Sequence, residues 1–287
     1  MSEAPRWMRR IAGISRRSPT LAVGVLILSV FAVMALTATW IAPFDPEMAQ
    51  PRNVLAAPGG AHVFGTDGNG MDVFSRVLAG ARWAFGIAIP AVIVGLLAGV
   101  PLGLYTGYRG GWFDEIAMRL FDALRVFPSI ILALAVVAAA GPSLLNVVLV
   151  IGFLDSPVYA RVVRAEVLAL RHSTFVESAV SAGNPTWRIL FVHILPNALQ
   201  GAMAQTAVRA AWAVRISATL AFLGVGIQPP TPEWGAMIRQ GAEYLVTGQW
   251  WVGIFPGIAL IAMVLGLNML GDGLQDLLDP RRKAATR

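Results

Sequence analysis

The sequence predicts an all-α polytopic membrane protein, and three observations carry that prediction. Of its 287 residues, 56% are hydrophobic and only 13% charged, with a mean hydropathy of +0.66; a soluble domain carries about a quarter charged residues. Apolar runs long enough to cross a bilayer core, at ~1.5 Å of rise per residue, recur along the chain. The basic residues gather in alternate loops between those runs.

The first run, 21–41, follows Arg6, Arg9, Arg10, Arg16 and Arg17. A signal peptide has a shorter apolar core and a small-residue cleavage site, so a retained first span with its N-terminus inside is expected. A polar stretch rich in Pro, Gly and Asp covers 42–82. Five more apolar segments follow: 83–105, 126–140 with an amphipathic start near Met118, 144–159, 197–222 and 250–270. The organisation read from this is an N-terminal unit 1–82, comprising a cytoplasmic segment, the first span and an extracytoplasmic segment, and a five-helix core 83–287. Gly95, Gly99, Gly103 and Gly107 recur every fourth residue, which lines one helix face with hydrogen atoms and predicts a tight helix seam. Pro90, Pro101, Pro157 and Pro256 interrupt apolar segments, where membrane helices tolerate them. Gly271-Asp272-Gly273 is expected to break the last span.

Six spans place both termini in the cytoplasm. Charge supports this: Arg109, Arg119, Arg125, Arg161, Arg164, Arg171, Arg188, Arg281, Arg282, Lys283, Arg287 and the N-terminal arginines fall inside. Only Arg52, Arg76, Arg82 and Arg239 fall outside, while Arg209 and Arg215 lie within a span. The net charge of +6 therefore reads as positive-inside topology, with no nucleic acid required. With no Cys, disulfides and thiolate metal sites are excluded, and His62, His172 and His193 lie in unrelated contexts, so no metal site is expected. The single lysine, Lys283, follows Arg282 and not glycine, which excludes a G-x-x-x-x-G-K-[ST] phosphate loop. Neither G-x-S-x-G nor H-E-x-x-H occurs, so no catalytic residues are assigned.

The chemistry-bearing stretch is 172–200, a polar island in an apolar chain. Thr174-x-x-Glu177 reads as a capping box opening a short helix, and Asn184-Pro185 as an N-cap with Pro at the first position of a second helix. Gly183 stands between them, where a sharp turn needs it. Ser178, Ala179, Ser181 and Ala182 are small enough to let the first helix lie in a groove on another protein. The plain alternative is that Glu177 caps a helix on the membrane surface.

This stretch resembles the cytoplasmic coupling loop of ABC importer permeases, whose pattern is Glu-Ala-Ala, a Gly after a few residues, then Ile-x-Leu-Pro. Here it stands as Glu177-Ser178-Ala179, Gly183 and Ile194-Leu195-Pro196. Four further segments resemble the dipeptide/oligopeptide/nickel branch: Phe64-Gly65-Thr66-Asp67 to Asp72 and Arg76; Gly107-Tyr108-Arg109-Gly110-Gly111-Trp112-Phe113-Asp114-Glu115; Phe222-Leu223-Gly224 through Gln228-Pro229-Pro230-Thr231-Pro232-Glu233-Trp234-Gly235; and Asn268-Met269-Leu270-Gly271-Asp272-Gly273 through Asp279-Pro280. The family often has Arg where Met71 and Gln275 stand and an acid near Ser217, so ion pairs at those places are not carried over.

The resemblance implies a type I ABC importer permease core of six transmembrane helices, in the cytoplasmic or inner membrane of a bacterium or archaeon. It implies a homologous second permease, two ATPase subunits that carry the ATP and Mg, an extracytoplasmic substrate-binding protein, and no cofactor in this chain. Glu177, Ser178, Ala179, Gly183, Ile194, Leu195 and Pro196 would couple to the ATPases. Asp67, Asp72, Gln228, Pro229, Glu233 and Trp234, on turn-rich outer segments, would form an outer gate or meet the binding protein. Di- or oligopeptides are the leading substrate expectation, with nickel or another small solute as the alternative. An ATPase-independent carrier or channel would need ionisable pairs in several spans.

Charges at membrane depth cost at least a few kcal/mol and face a cavity or a partner. Arg209 lies roughly 20 Å along a helix from Pro196, at a depth comparable to Asp155. Three readings stand: Asp155 and Arg209 pair structurally, Arg215 snorkels to headgroups, or Asp155, Arg209 and Arg215 line a translocation path that meets a substrate carboxylate.

Overall fold

A computed structural model describes residues 18–278. Arg6, Arg9, Arg10, Arg16, Arg17, Asp279, Pro280, Arg281, Arg282, Lys283 and Arg287 lie outside the described residues. The fold is all-α: within 18–278 the only β features are isolated bridges, Gly59 to His62 and Thr66 to Asp72.

Helix α1, Pro19–Ile41, begins at Ser18, whose Oγ accepts from the Leu21 N–H, with Pro at the first helical position. Helix α2, Val73–Arg109, is capped by Asp72, which accepts from the Ser75 N–H at 2.8 Å, and ends at Gly110, where φ is +64°. The expected start at 83 is therefore ten residues late, because the Asp72 cap nucleates the helix within the polar stretch. At 37 residues, or ~55 Å, α2 exceeds the ~30 Å hydrocarbon core.

The third expected span is broken. Helix α3, Gly111–Val126, and helix α4, Ser129–Ala140, meet at 89°. Pro128 drives the residue before it out of the helical region, and Phe127 is extended with ψ 134°. Helix α4 is too short to cross a bilayer alone, while α3 is amphipathic, with Trp112, Ile116 and Leu120 exposed and Phe121 buried.

Helix α5, Leu144–Leu170, continues eleven residues past the expected end at 159. Arg161 and Arg164 hold this extension to α3: Arg164 donates to both carboxylate oxygens of Asp114 at 2.6 Å, and Arg161 reaches Asp122 at 2.5 Å. The fork of an arginine fits a carboxylate in two parallel bonds, so α3 is fastened at two points across α5.

Two short helices, α6 (Thr174–Ser181) and α7 (Thr186–Arg188), lead through a π-helical turn, Ile189–Ile194, into α8, Leu195–Phe222. Helix α9, Trp234–Leu245, precedes α10, Trp251–Leu278. Gly271-Asp272-Gly273 does not break α10. A Cβ at Gly271 would meet Val208 Cγ2 at 2.5 Å and one at Gly273 would meet Leu21 Cβ at 2.5 Å, so both glycines are contact points with α8 and α1.

Among the described residues four helices, α1, α2, α5 and α10, are long and apolar enough to cross a membrane, and a fifth results if α3 and α4 count as one broken span. Helix α8 has 28 residues, yet its polar residues, Arg209 and Arg215 among them, keep it outside that set. It is enclosed by its neighbours through Ala198, Ala202, Ala207, Ala211 and Ala218, all buried. Exposed Leu26, Val30, Val33 and Leu36 on α1 are ordinary where the solvent is lipid.

The most extensive packing joins α2 to α5 along the four-residue glycine repeat. Gly99 faces the Ser156 carbonyl and Gly103 the Ala160 backbone, with Gly95 against Tyr159 and Gly107 against Val167. At one end of this seam, Leu104, Val163 and Val167 pack with Val176, Leu190 and Ile194 of the 174–194 segment. A second cluster joins α1, α2, α9 and α10 around Phe31, Trp234, Met237 and Met263.

Candidate functional site

The 172–196 stretch folds as a helix, a turn and a π-helical return. Ser173, not Thr174, is the N-cap of α6, and its Oγ donates back to the Leu170 carbonyl at 2.6 Å instead of capping. The expected capping box is thus absent, and Glu177 points outward, exposed. Gly183 has φ +73° and donates to the Val180 carbonyl at 2.9 Å. Asn184 does not cap the second helix: its N–H and Nδ2 both donate to the Ala179 carbonyl, closing α6, and Pro185 takes the N-cap place of α7.

The inner face of α6, Val176 and Ala179, packs on Ile189, Leu190 and Ile194, and Ile194 is fully buried. Leu195 is half-buried and Pro196 exposed. Ala179 therefore serves this chain's own packing, while Ser178, Ser181 and Ala182 stay on the open face. Around them stand exposed apolar side chains, Phe175, Val180, Trp187, Phe191 and Val192. The result is a rigid knob with an apolar rim.

At the opposite end of the helices the 42–72 segment folds back on α2 and α10. Asp67 closes its own turn by accepting from the N–H groups of Asn69 and Met71 at 2.8 and 2.9 Å. Asp72 caps α2 and lies 2.9 Å from His62 Nδ1. Buried Arg76 donates to the carbonyls of Pro46 (2.7 Å) and Pro230 (3.1 Å), with Asp67 3.5 Å from its Nε and Met71 Sδ beside it. Trp234 and Trp251 donate to the carbonyls of Val77 and Thr66, both at 3.1 Å.

Asp67, Asp72, Glu233 and Trp234 are thus buried within the chain. Their polar groups knit the outer segments together. Gln228 and Pro229 are exposed, with Gln228 Nε2 donating to the carbonyls of Gly224 and Gly226.

Within the helices, Arg209 Nη1 lies 3.2 Å from Asp155 Oδ1; Asp155 is buried and Arg209 half-buried. Arg209 Nε and Tyr159 Oη are enclosed without a hydrogen-bond partner among the described residues. Arg215 is exposed and makes no ion pair among the described residues. The geometry brings Asp155 and Arg209 together and leaves Arg215 apart. No group of three or more His, Asp or Glu side chains able to hold a metal ion occurs among the described residues.

Residues 99–284 match the family of binding-protein-dependent transport system inner membrane components. The chain belongs to that family. This permease is 40% identical to the dipeptide transport system permease protein of Alkalihalophilus pseudofirmus, over 91% of this chain and 86% of the relative. It is 41% identical to the glutathione transport system permease protein of Pectobacterium atrosepticum, over 94% and 89%. It is 37% identical to the probable D,D-dipeptide transport system permease protein of Escherichia coli K12, over 95% and 91%. It is a permease subunit of an ABC importer, a non-catalytic inner-membrane component.

Sequence reasoning missed the part played by Arg76 and His62 in this permease. Arg76 stands one helical turn after the Asp72 cap, a spacing that does not reveal the carbonyls of Pro46 and Pro230 it reaches. The Asp114–Arg164 and Asp122–Arg161 pairs were equally hidden, because their partners are separated by 50 and 39 residues.

Glu233 supports a further expectation for the permease. It caps α9 through the Ala236 N–H at 2.9 Å, and burial pushes its carboxyl from the ordinary 4.5 to about 7, with the cap bonds pulling the other way. The folded protein thus holds a proton that the unfolded chain has released. Stability is fully present below about pH 4.5 and declines as pH rises through about 7, by on the order of 3 kcal/mol. The thermal midpoint of the purified protein falls over that interval, and Glu233→Gln, which keeps an oxygen acceptor for the cap, flattens the profile. An unchanged slope in this variant would remove Glu233 as the cause.

Proposed function

We propose that this permease forms half of a translocation path for di- or oligopeptides, completed by a homologous second permease. Two ATPase subunits supply ATP and Mg, and an extracytoplasmic binding protein delivers the substrate. The observation that carries this reading is the knob formed by α6, Gly183 and the π-helical turn. It is packed on the ends of α2, α5 and α8 and carries an exposed apolar rim about Glu177 and Ser178. A short helix with such a rim fits a groove on a partner. The positive-inside charge distribution supports a cytoplasmic location for this knob and both termini.

Alternating access follows from that arrangement. Closure of the ATPases moves the knob, and the knob moves α2, α5 and α8 through the rigid contacts of Val176, Leu190 and Ile194. Peptide substrates are supported by relatives named for dipeptides and glutathione. The Asp155–Arg209 pair supports a structural role for both residues.

Tagging the chain in its own host, extracting it in mild detergent and identifying co-purifying proteins by mass spectrometry tests the reading. Two ATPases, a second permease and a binding protein that retains peptides are expected. A homo-oligomer without ATPase would replace the reading with a carrier or channel.

A further inference from the structure

We infer that the permease holds an anionic phospholipid headgroup in a basic cavity beside the coupling knob. The cavity, of about 650 Å³, is lined by Tyr105, Tyr108, Arg109, Arg171, His172 and Thr186. Its lining has two guanidinium groups, an imidazole, two phenols and a hydroxyl, and no acid. The nearest acids on α3 are occupied: Asp114 by Arg164 and Glu115 by Arg119. Arg171 contributes a buried Nε without a hydrogen-bond partner, while its Nη1 makes only a long contact, 3.5 Å, to the Gly107 carbonyl. An enclosed guanidinium nitrogen lacking an acceptor is matched by a phosphate oxygen.

The surroundings place the cavity at headgroup depth. Tyr105 meets Phe113 edge to face at 5.2 Å, and Phe113 in turn meets Trp112. Trp112, Ile116 and Leu120 lie exposed on α3, which turns through 89° into α4. A helix of that kind, with Trp and Phe at its start and Tyr105 of α2 against them, lies along a membrane interface. Basic pockets between helices on the cytoplasmic side take anionic headgroups, with acyl chains running along the neighbouring apolar faces. The cytoplasmic placement rests on the orientation proposed above. Thr186 opens α7 and lines the cavity, so an occupied site would brace the knob from the membrane side.

The test is reconstitution of the purified transporter complex into nanodiscs of phosphatidylcholine with a minor share of phosphatidylglycerol, followed by native mass spectrometry of lipid retained after delipidation. Wild type is expected to keep phosphatidylglycerol, and Arg109→Gln with Arg171→Gln to retain it about tenfold less. Because Arg171 also packs along α2, Arg109→Gln with His172→Gln, both at exposed positions, is the second variant and is expected to lose most retention. Arg119→Gln, a cation of α3 outside the cavity, is expected to retain lipid as wild type does. Equal retention in wild type and both double variants overturns the proposal. So does loss of ATPase subunits with lipid retained, which would make the occupant an acidic side chain of a partner, or displacement of the signal by inorganic phosphate. Lipid retention is read whether or not ATPases are present, so its failure is separable from failure of the importer reading.

Discussion

Gly103→Leu is expected to prevent accumulation of folded protein. A Cβ at this position would lie 2.3 Å from the Ala160 carbonyl oxygen and 2.9 Å from its carbonyl carbon and Cα. These are backbone atoms within α5, and no rotamer change can clear them. Seating the side chain requires α2 and α5 to separate along the whole Gly95–Gly107 face, which also lifts Tyr159 and Val167 from their contacts. Packing at close approach is what holds membrane helices together, since burial from lipid adds little. The loss exceeds the ~1–3 kcal/mol of ordinary overpacking and belongs with the exceptional substitutions above ~4 kcal/mol. Gly86→Leu is the control: it lies on the same helix with nothing within 4 Å of its Cβ, and it should change stability by no more than ~0.5 kcal/mol. Yield of monodisperse protein from membranes and its thermal midpoint measure both. Normal yield of the Gly103 variant would mean the seam is not what joins α2 to α5.

Gly183→Val is expected to leave the complex assembled and to cut transport severalfold or more. The position is open, with nothing within 4 Å of a Cβ, but its φ is +73°, where a β-branched residue is an outlier. The effect is therefore torsional and confined to the turn joining α6 to Asn184 and α7. A strain of ~1–3 kcal/mol there shifts the balance between the two states of a cycle by roughly five- to 150-fold. Uptake should fall by that factor while ATP hydrolysis persists, and Gly183→Asn, which tolerates a left-handed conformation, should keep most of the activity. Uptake and hydrolysis measured together in proteoliposomes decide this. Normal uptake by the valine variant would end the coupling assignment.

Parts of the candidate site were legible because their signal is local. Gly183 stands at a turn because glycine adopts its positive φ most readily, and that requirement is written in one residue and its neighbours. The capping assignments beside it failed by one residue each. Ser173 and Asn184 had competing acceptors, the Leu170 and Ala179 carbonyls, and helix-end carbonyls compete with helix-start amides for the same short polar side chains. Asp67, Asp72, Glu233 and Trp234 read as an outer gate or a contact for the binding protein, on turn-rich segments. Only the fold shows that they face inward, where their polar atoms satisfy helix starts and carbonyls.

The sequence by itself determined the class of the protein, its family, the glycine seam and the sharp turn at Gly183. Each rests on composition, period or a backbone demand, and these are properties of neighbouring residues. The tertiary structure alone decided that α5 runs on to Leu170, that Arg76 reaches the carbonyls of Pro46 and Pro230, and that Arg209 meets Asp155 while Arg215 stays apart. Those outcomes depend on which distant groups reach one another when the helices pack. In a medium without water a charge or a freed backbone group must find its partner inside the protein, and sequence separations of 50 residues or more carry no local trace of that choice.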